Sequence, residues 1–328
     1  MEREAEYYRR TDNGKVECVL CPRRCVISEG KTGFCMHRTN RDGTLMAALY
    51  GKVAAAADDP IEKKPLYHFH PGRGILSIGS FGCNLACRFC QNWHLVEGKG
   101  RLRDLPVEDL VSLARSSGSI GVAYTYNEPL IWFEYIKDAA KAVRAAGMVN
   151  VLVTNGYLEP EPFDEMLGLV DAMNIDLKGI RDSFYREYSK GMVEPVKRNI
   201  AAAAGRVHLE VTNLLVTGAN DTREEIRDLV DFIARTDPEI PLHFSRYFPN
   251  YRYDKPPTDT GLLAQAYRIA SEKLSYVYLG NMATDRESNT YCPSCGGLLV
   301  DRRGYATRVV GLAGRDCAEC GARTNFVI

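Results

Sequence analysis

No cysteine lies between residues 91 and 291, although the 328-residue chain holds eleven. Nor is there a surplus of either charge. The 42 Lys+Arg are matched by 42 Asp+Glu, so the chain has no overall basic excess of the kind that marks a nucleic-acid binder or a protein held on an anionic membrane. No apolar run approaches the roughly 18 residues of a membrane span. The charged start, MEREAEYYRR, has no secretory signal character, and the expectation is a cytoplasmic protein with neither membrane nor nucleic acid as partner. Low-complexity linkers and solenoid repeats are absent too. Hydrophobic residues at 45% and charged residues at 26% describe a globular chain able to bury a core.

Between residues 73 and 282, short β-branched or apolar runs alternate with longer amphipathic stretches, the pattern of βα units on a parallel sheet. Strands are expected near 75–81, 122–126, 149–154, 172–177, 208–216, 242–247 and 276–279. Helices are expected over 107–116, 134–146, 222–236 and 261–273, and the run 221–225 supplies capping and acidic residues to one of them. No Gly-x-Gly-x-x-Gly turn follows the first strand, which favours a partial (β/α)6-type TIM barrel over a dinucleotide-binding sheet. Residues just past the strand ends should then gather on one face. Three regions follow: a four-cysteine metal-binding segment over 1–70, which includes a strand or hairpin at 45–53, the partial barrel over 71–285, and a zinc-ribbon-like tail over 286–328.

Directly after the first expected barrel strand stands Cys83-Asn84-Leu85-Ala86-Cys87-Arg88-Phe89-Cys90. Thiolates are the usual ligands of a four-iron cluster, and a closed set numbers four. With Cys83, Cys87 and Cys90 as the local set, one iron keeps an open position, the logic that separates a catalytic from a structural zinc. A closed electron-transfer cluster whose fourth ligand is remote or not a cysteine, or a zinc knot, is the competing reading.

With Phe89 just before its last cysteine, this loop resembles the signature of the radical SAM superfamily. The resemblance implies a [4Fe-4S] cluster, S-adenosylmethionine (SAM) bound at the open iron, and reductive cleavage of SAM to a 5′-deoxyadenosyl radical that abstracts hydrogen from a substrate, either a small molecule or a glycine of a partner protein. It also implies a low-potential donor such as a ferredoxin or flavodoxin. Tyr126-Asn127-Glu128-Pro129 occupies the place of the family's Gly-Gly-Glu-Pro segment, with the two glycines replaced. Glu128 and Asn127 are therefore carried over as cofactor contacts. Thr154 and Asn155 after the third strand, and Asp176 and Lys178 after the fourth, look like the cofactor-binding segments of glycyl-radical-enzyme activases. Asp176 and Lys178 point to the same side and are costly to bury unless paired or liganded. A local salt bridge would satisfy them equally. His243, with Ser245 and Arg246, is a candidate for ribose or substrate contact, whereas His68 and His70 are read as packing or surface residues.

Cys292, Cys295, Cys317 and Cys320 form two Cys-x-x-Cys-Gly knuckles, which read as a closed structural zinc site in a tail too small to fold alone. Cys18, Cys21, Cys25 and Cys35 form another four-thiolate group, for zinc or a second iron–sulfur cluster. Together with Asp59-Pro60-Ile61-Glu62-Lys63-Lys64-Pro65 and Gly33-Phe34-Cys35, these elements resemble the AmmeMemoRadiSam system radical SAM enzymes. That family is related to pyruvate formate-lyase activating enzymes, and the resemblance implies a pathway shared with a Memo-like protein and a second small partner. The alternative of another class is a multi-cluster electron carrier without radical chemistry. The last residues, 321–328, carry no recognisable signal.

Overall fold

Strands buried on both faces need near-continuous apolar runs, and those runs form one open sheet. The computed structural model describes residues 2–284 and 286–328. Its sheet strands are β1 (Ala55–Pro60), β2 (Gly74–Gly79), β3 (Gly121–Tyr124), β4 (Val149–Thr154), β5 (Ala172–Asp176), β6 (His208–Leu215), β7 (Leu242–Arg246) and β8 (Val277–Gly280). Strands β2 to β8 lie parallel in chain order, and β1 pairs antiparallel with the outer edge of β2. Helices α1 (Val107–Ser116), α2 (Phe133–Ala145), α3 (Pro160–Leu167), α4 (Glu194–Ala203), α5 (Arg223–Thr236) and α6 (Thr260–Ser271) fill the successive connections. Thr222 caps α5 by accepting a hydrogen bond from the Glu225 amide, the role expected within 221–225.

The seven strands expected between residues 73 and 282 form one parallel sheet, but it is less closed than a barrel: its hydrogen bonding ends at β1 and β8 without joining them. Closure needs a hydrogen-bonded partner for each end strand, and β1 spends its pairing on β2 alone. The N-terminal cysteines are also drawn together less than expected. Cys18, Cys21, Cys25 and Cys35 line one cavity of about 10 Å³ with Arg38, but among the described residues only the C-terminal quartet brings its ligand atoms within 4.8 Å of one another. Arg38 is held instead by Glu134, Nη1 to Oε1 at 2.6 Å, with both side chains 1% exposed. The hairpin expected at 45–53 is Thr44–Ala47 paired with Arg38–Arg41, while Lys52–Val53 pairs with Arg103–Asp104.

Polar side chains fill the interior of the sheet below its C-terminal ends. Glu210 on β6 is fully buried and takes hydrogen bonds from His208 (2.9 Å), His243 (2.6 Å) and the His68 amide (2.7 Å). The His68 ring bonds Asn325 and Tyr278 and stacks on Phe326 at 4.1 Å. Residues 321–328, uninformative as sequence, therefore clasp the chain where it enters the sheet, and Val327 bridges Phe69.

Burial lowers the His68 pKa from 6.5 to about 3. Below pH 6.5 the unfolded chain gains a proton that the folded chain refuses until about pH 3, so this stabilisation is complete above that window and declines as pH falls through it. At pH 5 the expected loss from His68 is about 2 kcal/mol. Urea unfolding at pH 7 and pH 5 checks it, and His68→Gln should flatten the difference.

Candidate active site

The C-terminal ends of the parallel strands surround one cavity of about 970 Å³. Into it run the loop after β2 with Cys83, Cys87 and Cys90, the loop after β3 with Glu128, the end of β4 with Thr154 and Asn155, and Asp176 and Lys178 at β5. The gathering of strand ends expected from the sequence is thus present.

The cysteine loop is fixed from both sides. Asn127 accepts a hydrogen bond from the Ser80 amide (3.0 Å) and donates to the carbonyls of Phe81 (2.9 Å) and Gly82 (3.1 Å). From the N-terminal segment, the ring of His37 bonds the Phe81 carbonyl at 2.7 Å, and Arg23 donates to the Asn84 and Lys190 carbonyls. Gly82 adopts φ +79°, and a side chain there would meet the Cys35 carbonyl oxygen at 2.0 Å. The N-terminal segment is thus a buttress of the cysteine loop.

Burial pushes all three thiols up, Cys90 to about 11 and Cys83 further. Three partly buried sulfurs lining one cavity are stable as neutral thiols or as ligands of a cationic centre that supplies the missing charge. They do not close to the spacing of a single ion. A multi-iron cluster separates its thiolates because each binds a different iron, so the set fits such a cluster. Near Cys83, the Asn155 amide donates towards the sulfur at 3.6 Å and to Asn84 at 2.9 Å. Hydrogen bonds to cluster sulfurs are a recognised control on potential.

Several carried-over residues are also bonded to one another. Glu128 is 2% exposed and accepts from the Leu130 amide (2.9 Å), the Thr154 hydroxyl (2.6 Å) and the Asn155 amide (2.7 Å). Burial raises its pKa to about 7 against the lowering effect of these donors. It ties the end of β3 to the end of β4, and about one of its roughly four acceptor sites remains for another donor. Asp176 and Lys178 form an ion pair at 2.9 Å. Burial disfavours the Lys178 ammonium, but Asp176 and Cys87 outweigh it and hold the proton firmly. His243 is a correction: it is 3% exposed, is bonded to Glu210 and packs against Tyr67, so it does not line the cavity, whereas Ser245 does. Two residues further along β7 is one layer nearer the cavity.

Sequence reasoning missed Asp59, Lys63, Lys64 and Tyr126 as a group on the cavity wall. The departure of Tyr126 from glycine was the available signal.

The tail holds a separate site. Cys292, Cys295, Cys317 and Cys320 lie within 4.8 Å of one another, with Cys292–Cys320 and Cys295–Cys317 both at 3.7 Å. Burial raises the Cys292 thiol, but backbone amides of Cys295 and Ser294 draw it down to about 7. Four sulfurs at this spacing suit one tetrahedral ion.

A parallel α/β sheet presenting three cysteines in the first strand-end loop defines a class of iron–sulfur enzymes that act on SAM. Residues 77–233, just under half of the chain, match the model of the radical SAM superfamily. It is 41% identical to an uncharacterized protein of Methanocaldococcus jannaschii over 99% of this chain and 100% of that protein. It is 27% identical to GTP 3′,8-cyclase of Moorella thermoacetica, over 73% of each chain. The pyruvate formate-lyase 1-activating enzyme of Escherichia coli is 30% identical over 35% of this chain and 50% of that enzyme. The structure of Streptococcus suis SuiB bound to S-adenosylmethionine shares the fold, with a TM-score of 0.51 and 16% identity over 63% of this chain and 52% of that one. No helix among the described residues is long and apolar enough to cross a membrane.

Proposed function

We propose that this chain is an AmmeMemoRadiSam-type radical SAM enzyme that abstracts hydrogen from a small molecule. One observation carries the reading: Cys83, Cys87 and Cys90 share a cavity of about 970 Å³ with the ends of the neighbouring strands. When bound there, the cluster supplies the electron that cleaves SAM reductively. The three cysteines hold it, and Asn155 and Ser189 sit beside the Cys83 and Cys87 sulfurs at 3.6 and 3.3 Å. Lys178 and Asp176 offer a cation and an acceptor to the carboxylate and ribose of SAM, while Thr154 and Glu128 fix the loop that faces them.

The choice of a small molecule over a glycine on a partner protein rests on the cavity walls. Asp59, Lys63, Lys64 and Pro65 before the parallel strands, and Tyr305 from the tail, line one side of the cavity and narrow its mouth. A peptide loop needs an open mouth. A ferredoxin or flavodoxin would deliver the electron, a Memo-like protein and a second small partner would share the pathway, and the C-terminal quartet would hold zinc.

Anaerobic incubation with dithionite and SAM should release 5′-deoxyadenosine and change the electron paramagnetic resonance (EPR) signal of the reduced cluster. A multi-cluster electron carrier gives neither, and that result would reject the proposal.

A further inference from the structure

One wall of the cavity carries an unequal set of charges. Asp59 Oδ1 accepts from Lys63 Nζ at 3.0 Å, and Oδ2 accepts from Lys64 Nζ at 2.9 Å and from the Tyr126 hydroxyl at 2.7 Å. Two ammonium groups therefore share one carboxylate. The Lys64 and Asp59 side chains are 3% and 8% exposed, so bulk water does little to settle the difference. The Asp176–Lys178 pair elsewhere in the cavity is balanced one to one.

The arrangement is built at a cost. Tyr126 stands at φ +71°, the left-handed region that disfavours side chains. That conformation brings its hydroxyl onto Asp59 and its ring under Lys64, with Nζ 4.8 Å from the ring centroid. Of the three donors on the Lys64 ammonium, Asp59 takes one. Lys63 lies over the Tyr305 ring at 5.4 Å, at the edge of the same cavity.

In register, Asp59 pairs with Ile75 near the start of β2, while the cysteine loop leaves the far end of that strand after Gly79. Four residues of strand, about 13 Å of backbone, lie between Ile75 and Gly79, and side chains from both ends line the one cavity of about 970 Å³. Resting on the function proposed above, we propose that the substrate carries a carboxylate or phosphate that docks on Lys63 and Lys64. Asp59 and Tyr126 hold the two ammonium groups in place. The remainder of the substrate extends towards the cysteine loop, where hydrogen is removed.

The test uses anaerobically reconstituted full-length protein with SAM, titrated by calorimetry with inorganic phosphate and, separately, with succinate. Potassium chloride at matched ionic strength and neutral succinamide serve as controls. Saturable binding of phosphate or succinate, but not of succinamide, is expected, and the preferred anion names the group. Lys64→Gln should weaken that binding about tenfold or more, the scale of one charge-assisted hydrogen bond. Lys63→Gln, at a side chain 41% exposed, should weaken it in the same direction without threatening the fold. Binding of neither anion, or equal binding by wild type and both variants, overturns the inference. The effect of SAM on the wild-type cluster's EPR signal separates the two proposals: its absence rejects the radical function, while its presence with no lysine-dependent anion binding rejects the anion site alone.

Discussion

Cys87→Ala is expected to reduce 5′-deoxyadenosine formation to the level of a no-enzyme control, and to strip the protein of cluster iron and brown colour. The physical reason is the ligand count. The loop offers three thiolates to the cavity, and removing one leaves a cluster with two protein ligands and two open irons. Burial pushes the remaining Cys83 and Cys90 thiols up, so without the cationic centre they revert to neutral thiols. The tail provides an internal control. Its four sulfurs lie within 4.8 Å of one another and belong to a separate cysteine set, so the C-terminal metal should remain at its wild-type stoichiometry. Metal analysis beside the activity assay checks both halves. Full product formation by the variant would remove Cys87 from the cluster.

Gly82→Ala is expected to destabilise the protein by about 2–4 kcal/mol and to lower cluster occupancy without touching a ligand. The residue holds φ +79°, and an added Cβ would meet the Cys35 carbonyl oxygen at 2.0 Å and its carbon at 3.0 Å. Both obstacles are backbone, so no rotamer change relieves them. Either the cysteine loop moves away from the N-terminal buttress or the buttress moves, and each breaks the hydrogen bonds from His37 and Asn127 to this turn. Gly74→Ala is the control, because a side chain there meets nothing within 4 Å. Chemical denaturation with iron analysis reads both variants, and equal behaviour of the two would show that the close approach to Cys35 is not structural.

Much of this was legible in advance because two periodicities and one spacing are local properties. The strand runs at 75–81 and 149–154 and the helical run at 107–116 correspond to β2, β4 and α1. Strand β1 escaped, since Ala55-Ala56-Ala57-Asp58-Asp59-Pro60 has little strand character and forms only because the edge of β2 offers a row of hydrogen bonds. His243 was misread because its position on β7 predicts a face but not a depth. It lies at the level of Glu210, below the cavity. Glu128 and Asn127 line the cavity, yet most of their hydrogen-bonding capacity is spent on the protein itself.

By itself, the order of residues determined the alternation of strands and helices, the three-thiolate loop after the first parallel strand and the paired knuckles of the tail, because periodicity and ligand spacing are written within short stretches of chain. Only the tertiary structure decided that the N-terminal segment braces that loop, that residues 321–328 clasp His68, and that Lys63, Lys64 and Tyr126 meet on Asp59. Those contacts join groups up to 257 residues apart, and such a meeting is fixed by how layers pack and which donors burial leaves unsatisfied, quantities that no local window contains.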